Sequence, residues 1–233
     1  MAKSKNKNTE GLDFIENPDV LVNKVEVFFA EKRNQKIVAI VGGVVIAIIL
    51  AFLGDSYVNN GKNAEAQEEM FQAVYYFESD SLGQALNGDG NSYGFIDIVS
   101  LYPGTAAANL SSFYIGVTYM KLKDFSNAIK YLKDFSGDDY LIQTRAYALI
   151  GDAYMELDDF QNASEYFEKA ANYKNNKEFS PTYLAKYALS LELKGDLKGA
   201  ITIYDKIIKE YNQSTLFQEA TKQKARLEGL NTK

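Results

Sequence analysis

Two pairs of adjacent carboxylates, Asp138-Asp139 and Asp158-Asp159, come nearest in this chain to the residue types and spacing that acid–base chemistry needs. Such work requires two groups whose surroundings drive their pKa values apart. Both pairs fall at expected turns between helices, with nothing converging on them, so they read as solvated turn acids. The stretch Leu86-Asn87-Gly88-Asp89-Gly90-Asn91 superficially resembles a calcium loop. It lacks the alternating Asp ligands and the closing Glu, and reads as a plain flexible connection. The chain has no Cys and no His, which removes thiolate nucleophiles, imidazole bases, disulfides and the usual zinc and haem ligands. No catalytic, cofactor or metal site is expected, no small-molecule substrate is indicated, and the chain is read as a non-enzyme. A net charge of −6 argues against nucleic acid, which demands clustered Lys and Arg.

What remains is a surface that binds, and its placement depends on repetition. Three segments align on one template, beginning at Asn109, Thr144 and Pro181. Small residues correspond at Gly116, Gly151 and Ala188, then Tyr119, Tyr154 and Leu191, then Ala128, Ala163 and Ala200, then Leu132, Phe167 and Tyr204. A small residue on each of two antiparallel helices lets their backbones approach, and the aromatic fills the wedge between neighbouring hairpins. Lys123-Asp124-Phe125, Asp158-Asp159-Phe160 and Gly195-Asp196-Leu197 supply the tight connections. Offsets of about 35 residues are those of tetratricopeptide (TPR) repeats, which the second copy resembles most closely.

The expected fold is therefore all-α, an α-solenoid of TPR-like hairpins, with repeats at about 109–135, 144–171 and 181–211. A degenerate first hairpin is expected over 64–102, from Ala64 to Asp80 and Tyr93 to Tyr102, and a capping helix over 214–230. Three prolines in 233 residues agree with a helical chain. Such an array presents a concave face lined by the first helix of each pair. By alignment the partner-binding residues are Leu110, Phe113, Val117, Met120, Arg145, Leu149, Asp152, Met155, Lys186 and Leu189, with Ala148, Thr182, Ala185 and Leu193 beside them. TPR domains that grip a C-terminal carboxylate need Lys and Asn where this chain has Phe113, Val117, Ala148 and Asp152, so that mode is not expected. A mostly apolar face with Met and Phe suits a hydrophobic segment or helix of a protein partner.

Upstream, Ile37 to Leu53 is a run of seventeen residues without a charge or a hydrogen-bonding side chain. As a helix it spans roughly 26 Å, within the range of bilayer-crossing helices. A transmembrane helix is expected over 37–54. It has no polar face, unlike a globular helix, and it starts too far from the first residue and lacks the cleavage site of a signal peptide. Lys24, Lys32, Arg33 and Lys36 precede it and only Lys62 follows closely, which places 1–36 in the cytosol and exports the acidic segment 55–233. Asn17-Pro18-Asp19 reads as a helix start. The helix that follows, to residue 36, carries Leu21, Val25, Phe28 and Phe29 on one side. It lies either on the inner leaflet, on a membrane partner, or simply leads into the span.

The run Val25-Glu26-Val27-Phe28-Phe29-Ala30-Glu31, the anchor and the repeats together resemble, over nearly the whole chain, the YfgM-type ancillary subunits of the SecYEG translocon of Gram-negative bacteria. The resemblance implies an inner-membrane protein with a periplasmic TPR-like domain, contact with SecYEG and with a PpiD-like membrane-anchored chaperone, and a role with newly exported proteins. The chain departs from that family in its acidic, Tyr-rich repeats and the Gly88–Asn91 loop. A scaffold or assembly factor for another envelope complex would share every other feature.

Overall fold

The computed structural model describes residues 28, 30 and 32–231; residues 1–27, 29, 31, 232 and 233 lie outside it, as do the side chains at 33–35, 37–39, 42, 51–60 and 231. The expected amphipathic helix at 18–36 therefore lies mostly outside the described residues, which include only 28, 30 and 32–36 of it. The chain divides into two units, 1–59 and 60–233. Among the described residues there are helices and turns and no strand.

The first helix, α1 (Lys32–Glu78), holds the apolar run. The segment 37–54, expected as a transmembrane helix, falls inside it, and the helical backbone continues without a break to Glu78. No proline stands between Lys32 and Glu78 to stop it, and its interior glycines each weaken a helix by only about 1 kcal/mol. Among the described residues no helix is long and apolar enough to cross a membrane. In the unit 1–59 the described apolar side chains Ile40, Val41, Val44, Val45, Ile46, Ile48, Ile49 and Leu50 are all exposed.

The unit 60–233 is built from pairs of helices. After the end of α1 come α2 (Leu82–Asn87) and α3 (Phe95–Leu101), then the pairs α4 (Ala106–Lys121) with α5 (Phe125–Asp134), α6 (Tyr140–Glu156) with α7 (Phe160–Asn172), and α8 (Ser180–Leu193) with α9 (Leu197–Glu210). The last helix is α10 (Phe217–Asn231). One turn recurs four times. Asp80, Lys123, Asp158 and Gly195 each take positive φ, at 58°, 61°, 57° and 92°. In each, the next residue's N–H reaches back five positions: Ser81 to Tyr76 O (2.8 Å), Asp124 to Tyr119 O (2.9 Å), Asp159 to Tyr154 O (2.9 Å) and Asp196 to Leu191 O (2.8 Å). This is the Schellman end of the first helix, and in the last three turns the aspartate also caps the second. Asp124 accepts from Asn127 N, Asp159 from Asn162 N and Asp196 from Gly199 N. Asp124, Asp159 and Asp196 are thus helix caps, and Asp139 likewise caps α6 by accepting from Leu141 N and Ile142 N.

Counting from the turn explains the core. Seven positions before it stand Ala73, Gly116, Gly151 and Ala188, and five after it Ala85, Ala128, Ala163 and Ala200, all buried. The helices meet there: a Cβ on Gly151 would lie 2.7 Å from the Phe167 ring, and one on Gly116 would run into Leu132. Fully buried Phe167 and Leu132 occupy the space that the missing side chains leave.

The first pair obeys the same frame, with Tyr76 where later repeats have Tyr119 and Tyr154, but its second helix is broken. The connection expected at 86–91 instead begins as helix α2, and the interruption falls at 88–94. That segment is a closed turn: the Asp89 carboxylate accepts from Asn91 N (2.9 Å), Ser92 N (2.8 Å) and Tyr76 Oη (2.8 Å). Beyond it Phe95 stacks on Tyr114 at 4.9 Å and closes the core of the first pair against α4. At the other end, Ala220 and Leu227 of α10 bury themselves against α8 and α9.

Candidate partner-binding groove

The Schellman turns fix where each first helix ends, and the ends of α4 and α6 meet the middle of α8 around one cavity. It measures about 560 Å³ and is lined by Met120 and Lys123 at the end of α4, Phe125 of α5, Asp152, Met155 and Glu156 of α6, Phe167 of α7, and Lys186 and Leu189 of α8. A second cavity, of about 320 Å³, shares Lys186 and Leu189 and continues over Ala185, Glu192, Tyr204, Leu216, Glu219, Ala220, Gln223 and Arg226. Together they make a groove with an apolar floor running from α4 to α10.

Its charges are largely spoken for. Lys186 donates to both Asp152 oxygens at 2.7 Å and stands 5.6 Å from the centre of the Phe167 ring. Arg226 donates to Glu192 at 2.6 Å. Burial pushes the Tyr204 hydroxyl above its ordinary value, with the nearby Glu192 carboxylate adding to the shift. With Lys186 and Arg226 paired internally, the groove has little to offer a bare carboxylate and more to offer apolar side chains. Among the described residues no three acids gather in a metal-binding group.

Of the residues expected to bind a partner, Met120, Asp152, Met155, Lys186 and Leu189 line the first cavity, and Ala185 the second. Phe113 does not; it packs on Phe135 at 5.3 Å in the core beneath α4 and α6. Leu149 is half-buried against the same core, and Ala148 is buried. Leu110 and Val117 are half-buried outside both cavities, while Arg145, Thr182 and Leu193 are exposed and also outside them. The physical reason is that each first helix reaches back to the one before it, so part of the concave stripe is consumed in packing. The reasoning from sequence missed Lys123, Phe125, Glu156 and Phe167. Lys123 and Phe125 belong to the turn motif itself, and that motif was the available signal.

The family comparisons agree with this geometry. Residues 113–135 and 144–177 match one tetratricopeptide-repeat model, and residues 184–214 match another. Among solved structures, the nearly identical TPR-like repeats of a kinesin light chain of Podosopora anserina are similar at 13% identity. They cover 73% of this chain and 88% of that one, with a TM-score of 0.53. A second structure of those repeats is similar at 12% identity, with the same coverage and TM-score. No curated protein sequence matches. The chain therefore carries TPR repeats in an all-helical solenoid, a fold whose ordinary use is protein–protein interaction without catalysis.

Proposed function

We propose that this chain is a membrane-anchored interaction module whose groove takes an apolar segment of a partner protein. The observation that carries the reading is the cavity of about 560 Å³ formed between the ends of α4 and α6 and the middle of α8, with Met120, Met155 and Leu189 in its lining and Lys186 already paired to Asp152. Flexible thioethers over a neutral floor suit an amphipathic or unfolded segment. Anchorage through residues 37–54 is supported by the uncharged run Ile37–Leu53 and by the exposure of its apolar side chains from Ile40 to Leu50. With the basic residues ahead of that run, segment 1–36 is cytosolic and the repeats periplasmic. In this reading the chain is an inner-membrane ancillary subunit of SecYEG that works with a PpiD-like chaperone on newly exported proteins.

The test is photocrosslinking in intact membranes from Phe28, Met155 and Leu189. Translocon adducts from Phe28 and adducts to a periplasmic chaperone or exported chain from the groove are expected. Release of the chain by an alkaline carbonate wash would remove the membrane reading. Groove adducts only to proteins of another envelope complex would transfer the module to that machine.

A further inference from the structure

Each first helix after α1 is covered on one side by the preceding repeat. Nine positions before the turn, Tyr114 packs on Phe77 at 5.1 Å, Leu149 joins the core shared with Phe113 and Met120, and Lys186 binds Asp152. Five positions before the turn, Thr118, Ala153 and Ser190 are each 0% exposed. The same two positions in α1 are Phe71, 72% exposed, and Tyr75, 57% exposed. A terminal repeat that faces only water carries polar residues there. The opposite end of the solenoid does so: the outward residues of α10 include Gln218, Thr221 and Lys222.

We propose that the Phe71–Tyr75 face of α1 docks a helix of another protein, set where a preceding repeat would lie, with an apolar stripe flanked by Lys or Arg. The charge around the face selects that chemistry. Glu68 and Glu78 flank the two rings, each three positions from one of them along α1, and Lys62 is the only base between residues 60 and 80. A second copy would set these acids against their own kind, whereas a basic helix complements them. The chain covers its own repeats in this way. Helix α5 buries Ala128, Ile129 and Leu132 and extends Lys133, which donates to Tyr154 Oη at 2.8 Å and lies over the rings of Tyr154 and Tyr166.

The full chain in zwitterionic lipid discs, with empty discs as reference, is titrated with three helical peptides. One has a Leu/Ala stripe flanked by Lys, one has Glu in place of Lys, and one is a stripe-scrambled isomer of the first. The Lys-flanked peptide binds at least tenfold more tightly than the other two. Phe71→Ser with Tyr75→Ser abolishes that preference, while Met155→Glu with Leu189→Glu, which disables the groove, leaves it intact. Glu68→Lys with Glu78→Lys shifts the preference to the Glu peptide, a readout independent of the aromatic variant. Equal binding of the scrambled isomer, or indifference to both face variants, overturns the proposal. So does sedimentation of the chain alone as a dimer that the aromatic variant dissociates, since a second copy would then cover the face.

Discussion

The first helical pair and the pair α6–α7 share a turn but not a second helix. Asp80 and Asp158 hold φ of 58° and 57°, and their helices cross at the equivalent small residues Ala73 and Gly151, opposite Ala85 and Ala163. Yet α7 runs unbroken for 13 residues, while its counterpart stops after the 6 residues of α2, yields to the Asp89 turn and resumes as α3. Turn and crossing define a repeat here, and the rest of the second helix is open to insertion as long as its buried face is replaced. Phe95 makes that replacement from α3.

The largest effect is expected at the crossing. Gly151→Leu drives a side chain into fully buried Phe167 and should cost about 3 kcal/mol, lowering the melting temperature by roughly 6 to 12 °C. Ala73→Leu meets a shorter, interrupted partner that can give way, and should cost about 1 kcal/mol. Thermal melts of the two variants check both. Equal losses would mean the first pair is as tightly locked as the third.

Caps give the next largest contrast. Asp159 accepts from Asn162 N at 3.1 Å, so Asp159→Ala should cost about 1 kcal/mol in urea denaturation. Ser81 occupies the same place before α2 without a side-chain cap bond, and Ser81→Ala should change little. Charge can then be separated from capping. Hydrogen bonds from Asn162, with Lys133 nearby, hold the Asp159 carboxyl below its ordinary value. A depressed folded value means its stabilisation is present above the ordinary carboxylate range, near pH 4, and is lost as pH falls through the folded value. Asp159→Asn keeps a cap but does not titrate. The urea midpoint of the parent chain should therefore fall further than that of the variant between pH 5 and pH 3; parallel falls would show the charge to be idle.

The later repeats were legible because their small, aromatic and aspartate positions recur at fixed distance from the turn. Ala73, Tyr76, Asp80 and Ala85 obey the same distances, but the turn falls 43 residues before Lys123 against 35 and 37 later, so the period was hidden by the 88–94 insertion. In the groove, helical register alone located Met120, Met155 and Leu189. It could not tell that Phe113 and Leu149 are drawn into the core, nor that Lys186 is tied to a carboxylate 34 residues away. Both depend on how neighbouring helices approach. The lining from α10 was unreadable for another reason: that helix does not repeat, so no alignment points to Arg226 or Gln223.

The smallest expected effect lies in the insertion. Asp89 gathers Asn91 N, Ser92 N and Tyr76 Oη, and these bonds hold its carboxyl below the ordinary value. The side chain is on the surface, and nothing in the helix crossing touches it. Asp89→Ala should therefore leave the global melting temperature nearly unchanged while the amides of Asn91 and Ser92, and those of α2 behind them, exchange faster with solvent. Tyr76→Phe removes one of the three bonds and leaves the two backbone ones, so its faster exchange should be confined to 88–92 and be weaker. Protection in α6 and α7 should not move in either variant. If instead Asp89→Ala destabilised the whole solenoid as much as Asp159→Ala, the closed turn would be a structural keystone of the first pair, and the idea that its second helix tolerates replacement beyond the crossing would fail.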